Sequence, residues 1–396
     1  MSQSTSGYLF VGGTALLPGE RARGVAVSVE GARITAVGKE AERRGRRRAR
    51  QLKRVHLSGA FLAPGFIDLH THGARGVWFD QVDARELEEV LRGHYIRHGV
   101  TRLLMSLCPA PRKLLVERTR RVAAAIRARV GAGVAGGIHL EGPFVNPKRP
   151  GALPKEHFRV YSRRFVDELL DAGGGAVKTM TLAPECPGGY RLIAHLRRRG
   201  VVPAFGHSLG GHADAQSAVG AGVRYVTHLF NAMRGIHHRD PGPVPVFLSD
   251  HRIRCELISD GFHVSPEVMR WVAEQKPAEE ICLVSDSAGP CGLRPGTYRF
   301  EGRSFQLRSG RVTLTDGTLA GSALTLDRAF RVQVEQVGRS PHEAAVSASQ
   351  VPARIVGWHR TRGTIEPGKR ADLVVLTPRF RVLATYVGGE RVFQGR

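Results

Sequence analysis

The chain has 396 residues, 42% of them hydrophobic, with 59 Lys and Arg against 35 Asp and Glu, a formal net charge of +24. Such a length fits one barrel-sized domain plus a smaller one, and no apolar run is long enough to cross a bilayer. The five cysteines (Cys108, Cys186, Cys255, Cys282 and Cys291) are scattered and form no CxxC pair, which excludes a disulfide framework and a thiolate zinc site and points to reduced thiols in a cytoplasmic protein. The opening stretch MSQSTSGYLFVGG has no basic segment ahead of an apolar one, so no secretory signal is expected.

Residues 8–60 read as short strands and turns. In VAVSVEGARITAVG, Val25, Val27 and Val29 share a face, a Gly-centred turn follows, and Ile34 and Val37 resume the alternation. The basic run RRGRRRARQLKR, residues 43–54, has no aromatic residue to stack on bases. It therefore reads as a solvated loop rather than a nucleic-acid face. The net charge suits an anionic substrate.

From residue 66 the pattern alternates between apolar runs and amphipathic helices. The runs span 66–70, 101–106, 136–141, 177–182, 201–207, 225–230, 254–259 and 281–286. The intervening stretches place Leu87, Val90 and Leu91 on one helix face and Leu115, Val122 and Ile126 on another. Eight strands alternating with helices predict parallel pairing in a (β/α)8 barrel. An open doubly wound sheet ranks second, since no Gly-x-Gly-x-x-Gly follows the early strands. After residue 290 the rhythm lapses into a hairpin insertion, and two helices near 323–337 and 341–357 follow. The tail then returns to strands, so both chain ends build one small β domain. The expected division is 1–62 with 363–396 for that domain and 63–362 for the barrel.

In a barrel, chemistry sits at the carboxyl ends of the strands. There the sequence offers Asp68-x-His70-x-His72 after strand one, Glu141 after strand three, His207 after strand five, His228 after strand six and Asp286 after strand eight. Taken singly, each has a plain structural reading: a hydrogen-bonded histidine, a Glu–Arg pair, a helix cap. Together they form a set of imidazole and carboxylate ligands for Zn2+ or a similar divalent ion. Glu141, His207 and His228 make three ligands with a position left for water. His70 and His72, two apart on one strand face, offer a second ion site with Glu141 bridging. Asp286 is placed to take a proton from the activated water. His94, His98, His195 and His212 fall on helices and loops and receive no role.

These residues resemble the amidohydrolase superfamily and, within it, the N-acetylglucosamine-6-phosphate deacetylase branch. The resemblance rests on APGFIDLHTHG (63–73), HLEGPFVN (139–146), TLAPE (181–185), GHS (206–208), THLFNAM (227–233), RDPG (239–242), DGFHVS (260–265), LVSDSAG (283–289), LAGSALTL (319–326) and GTIEPGKRADLVVL (363–376). It implies a (β/α)8 barrel with a small β-sandwich, a homodimer, and removal of acetate from N-acetylglucosamine 6-phosphate. It also implies one or two divalent ions, Zn2+ first and Fe2+, Mn2+, Co2+ or Cd2+ as alternatives. Glu141, His207 and His228 match the main ligands, His70 and His72 the second-ion positions, and Asp286 the acid/base. Asn231 and Ala232 match the phosphate-contacting backbone. Arg239 matches a phosphate-binding arginine that reaches across from the other subunit, and His263 a substrate-contacting histidine.

One departure stands out. Where the family places a polar residue that contacts the sugar, this chain has Leu153, which cannot hydrogen-bond a hydroxyl. Either His157 substitutes from nearby or the substrate is a related acetamido sugar phosphate. Ser287 and the GPCG that follows also differ from the common form. A cyclic-amide hydrolase is a weaker reading, because Lys178 lies at the start of strand four rather than at its end. A non-enzymatic nucleic-acid-binding or regulatory barrel is weaker still, since it has no need of the full ligand set.

Overall fold

The computed structural model describes residues 7–81 and 83–395. Eight parallel strands lie in sequential order around one sheet: β1 (Phe66–Asp68), β2 (Val100–Leu107), β3 (Ala135–Glu141), β4 (Val177–Leu182), β5 (Val202–Phe205), β6 (Tyr225–Val226), β7 (Arg254–Ile258) and β8 (Ile281–Val284). The sheet closes just beyond the ends of its first and last strands. There the Asp286 amide donates to the His70 carbonyl at 2.8 Å and the His72 amide to the Ser287 carbonyl at 2.7 Å. The fold is thus a (β/α)8 barrel.

Each strand is buried on both faces, as the continuous apolar runs require. Leu104, Ile138, Met180, Phe205, Leu257 and Leu283 all lie in the main core. The helices bury one stripe each. Leu87, Val90 and Leu91 face inward, as do Leu115 and Val122, with Ile126 half-buried. Ser162 and Ser265 cap the helices Arg163–Gly173 and Pro266–Gln275 through their side chains. Lys178 donates to the Gly175 carbonyl at 2.8 Å, at the amino end of β4 and away from the barrel mouth.

The terminal segments form two sheets. One has four strands, in the order Arg33–Val37, Val27–Glu30, Gly7–Val11, Leu52–His56. The other has six, in the order Glu390–Gln394, Val382–Val387, Leu373–Leu376, Phe61–Pro64, Thr14–Leu17, Glu20–Arg23. A shared core joins them, in which Phe10 meets Tyr386 edge-on with centroids 5.1 Å apart. Strands from both chain ends therefore hydrogen-bond to one another.

The basic run is not the loop its composition suggests. Lys39–Arg47 form a helix, and Leu52–His56 a strand. The helix buries Ala41 and Gly45. A Cβ at Gly45 would sit 2.3 Å from a Leu9 methyl, so a larger residue there would force the Leu9 side chain to shift. Arg44 pairs with Glu30 at 2.8 Å, and Arg48 pairs with the same carboxylate. Part of the run's charge is thus spent holding the helix on its sheet.

The expected hairpin is larger than a hairpin. Gly296–Phe300, Arg303–Arg308, Arg311–Leu314 and Leu319–Ser322 form a four-stranded antiparallel sheet over the barrel mouth. Phe300 stacks on Trp78 at 4.4 Å. Glu301 pairs with Arg118, whose side chain is only 2% exposed and also meets the buried Asp80 at 3.3 Å. Burial lifts the Asp80 pKa to about 6 against the pull of Arg118. Replacing Arg118 by alanine would leave a buried carboxyl without its partner. The expected cost is about 3–5 kcal/mol of stability, to be read as a fall in denaturation midpoint.

Candidate active site

The mouth of the barrel holds the carboxyl ends of all eight strands. Glu141 is the last residue of β3, and His207, His228 and Asp286 follow β5, β6 and β8 by two residues each. His207, His228 and Asp286 have left-handed backbones, at φ 47°, 27° and 47°. Non-glycine residues seldom occupy this region, and strain of this kind clusters where structure over-determines a site. Here each strand end turns sharply and aims its side chain at the barrel axis.

Glu141 is the hub. Its Oε1 lies 3.1 Å from His207 Nε2, 3.2 Å from His228 Nε2 and 3.3 Å from His70 Nε2, and its Oε2 lies 3.1 Å from His72 Nε2. Asp286 Oδ1 is 3.4 Å from His70 Nε2 and 3.6 Å from His72 Nε2. Three sets of potential ligand atoms result, Glu141–His207–His228, His70–His72–Asp286 and, with the half-buried Cys108, His72–Cys108–Glu141. The other six side chains are buried. Burial disfavours the Glu141 carboxylate, yet the charge of His70 and hydrogen bonds from the imidazoles hold its pKa well below the usual range.

The donor set fits a divalent cation. His207 and His228 bring their Nε2 atoms within 3.1 Å of each other, and His70 and His72 theirs within 3.3 Å. Two imidazole nitrogens facing at that distance repel if both carry lone pairs or both carry protons. A cation between nitrogens and carboxylates removes the conflict, and a set of imidazole and carboxylate donors suits Zn2+ and its neighbours.

The outer nitrogens of the rings set their orientation. His70 Nδ1 meets Glu256 Oε2 at 2.9 Å, and His207 Nδ1 meets the Arg149 carbonyl at 2.9 Å. His72 Nδ1 meets Cys108 Sγ at 3.4 Å, while His228 Nδ1 is buried without a partner. Glu256 also accepts from the His228 amide at 2.9 Å and from the Tyr225 hydroxyl at 2.6 Å. Burial opposes its ionisation, yet the charge and hydrogen bond of His70 hold its pKa down to about 2. Removing the sulfur with Cys108→Ala is expected to weaken an ion held by His70 and His72 about tenfold. A Zn2+ titration against a chelator should show the change in that half alone, with Cys108→Ser less affected.

A cleft of about 540 Å³ opens in front of the cluster, lined by His72, Glu141, His207, His228 and Asp286. Asn231, Ala232 and His263 line it too, as do Leu153 and His157. Asp260 fixes His263, meeting its Nδ1 at 2.7 Å. Burial works against a charged His263, but the hydrogen bond and charge of Asp260 raise its pKa above the usual value. Arg239 does not line the cleft of its own chain. It is exposed, and its guanidinium meets the His238 ring at 2.8 Å. Of the histidines given no role, His98 pairs with Asp327 and His195 with Asp167.

Sequence reasoning missed Glu256, Cys108, Asp260 and Glu185. Glu185 accepts from Asn146, Ser208 and the Leu209 amide, tying the loop after β3 to the loop after β5. Glu256 carried a readable signal, a lone acid inside the apolar run RCELIS. Cys108 carried none, because one cysteine among five has no pattern.

A parallel eight-stranded barrel with histidines and carboxylates converging at its carboxyl mouth belongs to the class of metal-dependent hydrolases. The particular family follows from comparison: the amidohydrolase family model matches residues 61–392, so the chain belongs to the amidohydrolase family and is a hydrolase acting on an amide. It is 36% identical over 331 residues to the N-acetylgalactosamine-6-phosphate deacetylase of Escherichia coli O157:H7, covering 83% of this chain and 87% of that one. It is 34% identical over 337 residues to the N-acetylglucosamine-6-phosphate deacetylase of Bacillus subtilis (strain 168), covering 84% of each. The solved structure of an N-acetyl-D-glucosamine-6-phosphate deacetylase variant from Mycobacterium smegmatis, in complex with N-acetyl-D-glucosamine-6-phosphate, superposes with a TM-score of 0.91 at 33% identity. That match covers 98% of this chain and 100% of the other. Among the described residues, no helix is long and apolar enough to cross a membrane.

Proposed function

We propose that the chain removes acetate from N-acetylglucosamine 6-phosphate, giving glucosamine 6-phosphate and acetate. The observation that carries this reading is the Glu141-centred cluster facing a cleft, in a chain whose relatives are deacetylases of amino-sugar phosphates. Glu141, His207 and His228 would hold one divalent ion, Zn2+ by preference, and His70 and His72 a second. Such an ion polarises the amide carbonyl and lowers the pKa of water. Asp286 accepts the proton of the attacking water and returns it to the nitrogen as the C–N bond breaks. The backbone of Asn231 and Ala232 receives the phosphate, joined by Arg239 of a second copy in a homodimer. His263, steadied by Asp260, contacts the substrate in the cleft. Phosphate contacts far from the reacting carbon hold the amide in an attack geometry.

Leu153 favours a second reading. It lines the cleft where a polar contact to the sugar is expected, which suits a related acetamido sugar phosphate such as the galacto epimer. An acetate-release screen over N-acetylglucosamine 6-phosphate, N-acetylgalactosamine 6-phosphate and their unphosphorylated forms tests both. The highest kcat/KM on the gluco compound supports the first reading and on the galacto compound the second. Folded, metal-loaded protein that releases no acetate from any of them overturns both.

A further inference from the structure

Among the described residues lining the cleft there is a single Lys or Arg, and it is Arg303. That is notable in a chain with 59 of them. Arg303 begins the second strand of the sheet that covers the barrel mouth. Its Nη1 donates to the Ala152 carbonyl at 2.5 Å, and its guanidinium lies 5.7 Å from the Phe305 ring centre. Among the described residues no carboxylate lies within ion-pair distance of it. The exposed Asp316 feels its charge from beyond ion-pair distance, so the half-buried guanidinium keeps donors free for an anionic ligand.

The anchoring also fixes where Arg303 stands. The neighbour of Ala152 is Gly151, where a Cβ would lie 3.3 Å from His207 Cε1 and 3.7 Å from Ala232 Cβ. Gly151 thus runs beside a candidate metal ligand and the Ala232 turn, and the next residue, Ala152, holds the guanidinium. A guanidinium has five N–H donors in a planar fork. One is used on Ala152, and the others remain for an acceptor in the cleft.

We propose that Arg303 is the protomer's own cation for the phosphate of the substrate, acting from within the chain in addition to Arg239 of the second copy. The inference rests on the amino-sugar phosphate reading above and adds a specificity-determining residue to it. It makes recognition of the anion depend on the covering sheet, since that sheet carries the charge.

The test compares Arg303→Met, which keeps the stem without the charge, and Arg303→Lys, which keeps the charge without the fork. KM and kcat are measured on the phosphorylated and unphosphorylated acetamido sugar, and inorganic phosphate binding by calorimetry. For Arg303→Met, KM on the phosphorylated compound is expected to rise about 30-fold, with kcat within about threefold. KM on the unphosphorylated compound stays put, and inorganic phosphate binds correspondingly weaker. Arg303→Lys recovers part of the loss. An unchanged KM, or an equal rise on both compounds, overturns the proposal, because a residue that only tethers the sheet would not sense the phosphate. If the wild-type protein releases no acetate, the functional reading fails, and the calorimetry alone decides the role of Arg303. If Arg303→Met fails to fold, Arg303→Lys decides it, by a KM rise confined to the phosphorylated compound.

Discussion

Replacing Asp286 by asparagine should cut kcat by about 10²–10⁴-fold, the range that positioned acid–base groups supply. The substitution isolates the proton function. Asn is nearly isosteric and tolerates the left-handed backbone that Asp286 adopts at φ 47°. The residue's amide and carbonyl, which bind the His70 carbonyl at 2.8 Å and the Ser322 amide at 2.7 Å, are untouched. The ion at Glu141, His207 and His228 should therefore remain, as metal analysis of the purified variant would show. Turnover within tenfold of wild type would remove Asp286 from the proton path.

Replacing Glu141 by glutamine should have the opposite signature, losing the ion along with the activity. Among the described residues the Glu141 carboxylate is the one anion within 3.3 Å of four imidazole Nε2 atoms. A neutral amide keeps the shape and removes the charge, leaving buried rings to face each other without compensation. Metal content is expected to fall to background after dialysis, and acetate release with it. Retention of a full equivalent of tightly bound ion would show that the histidines suffice and that Glu141 is not the hub.

Much of this site was legible because the barrel imposes position on sequence. Eight apolar runs each ended near a predicted strand end, and Glu141, His207, His228 and Asp286 stood at or just past those ends. The two-residue spacing of His70 and His72 placed both on one face, where they lie. What escaped was the layer behind. Glu256 sits inside β7, two strands round the barrel from β1, where its carboxylate faces His70, a contact between residues 186 apart in sequence. No local pattern encodes such a distance. The basic helix was misjudged for a related reason: its charges drew attention to solvent, while Ala41 and Gly45 decided the packing. The covering sheet was recognised as strands, but its role in walling the cleft depends on Phe300 reaching Trp78, again a contact remote in sequence.

The clasp of the barrel has a consequence for how the protein fails. The ring of strands is fastened by the backbones of His70, His72, Asp286 and Ser287, the same stretch that carries half of the candidate ligands. A barrel sprung at that seam cannot keep a working mouth, and a working mouth certifies that the ring is shut. Loss of catalysis on heating should coincide with rupture of the cylinder rather than precede it, leaving no intact but idle form to accumulate.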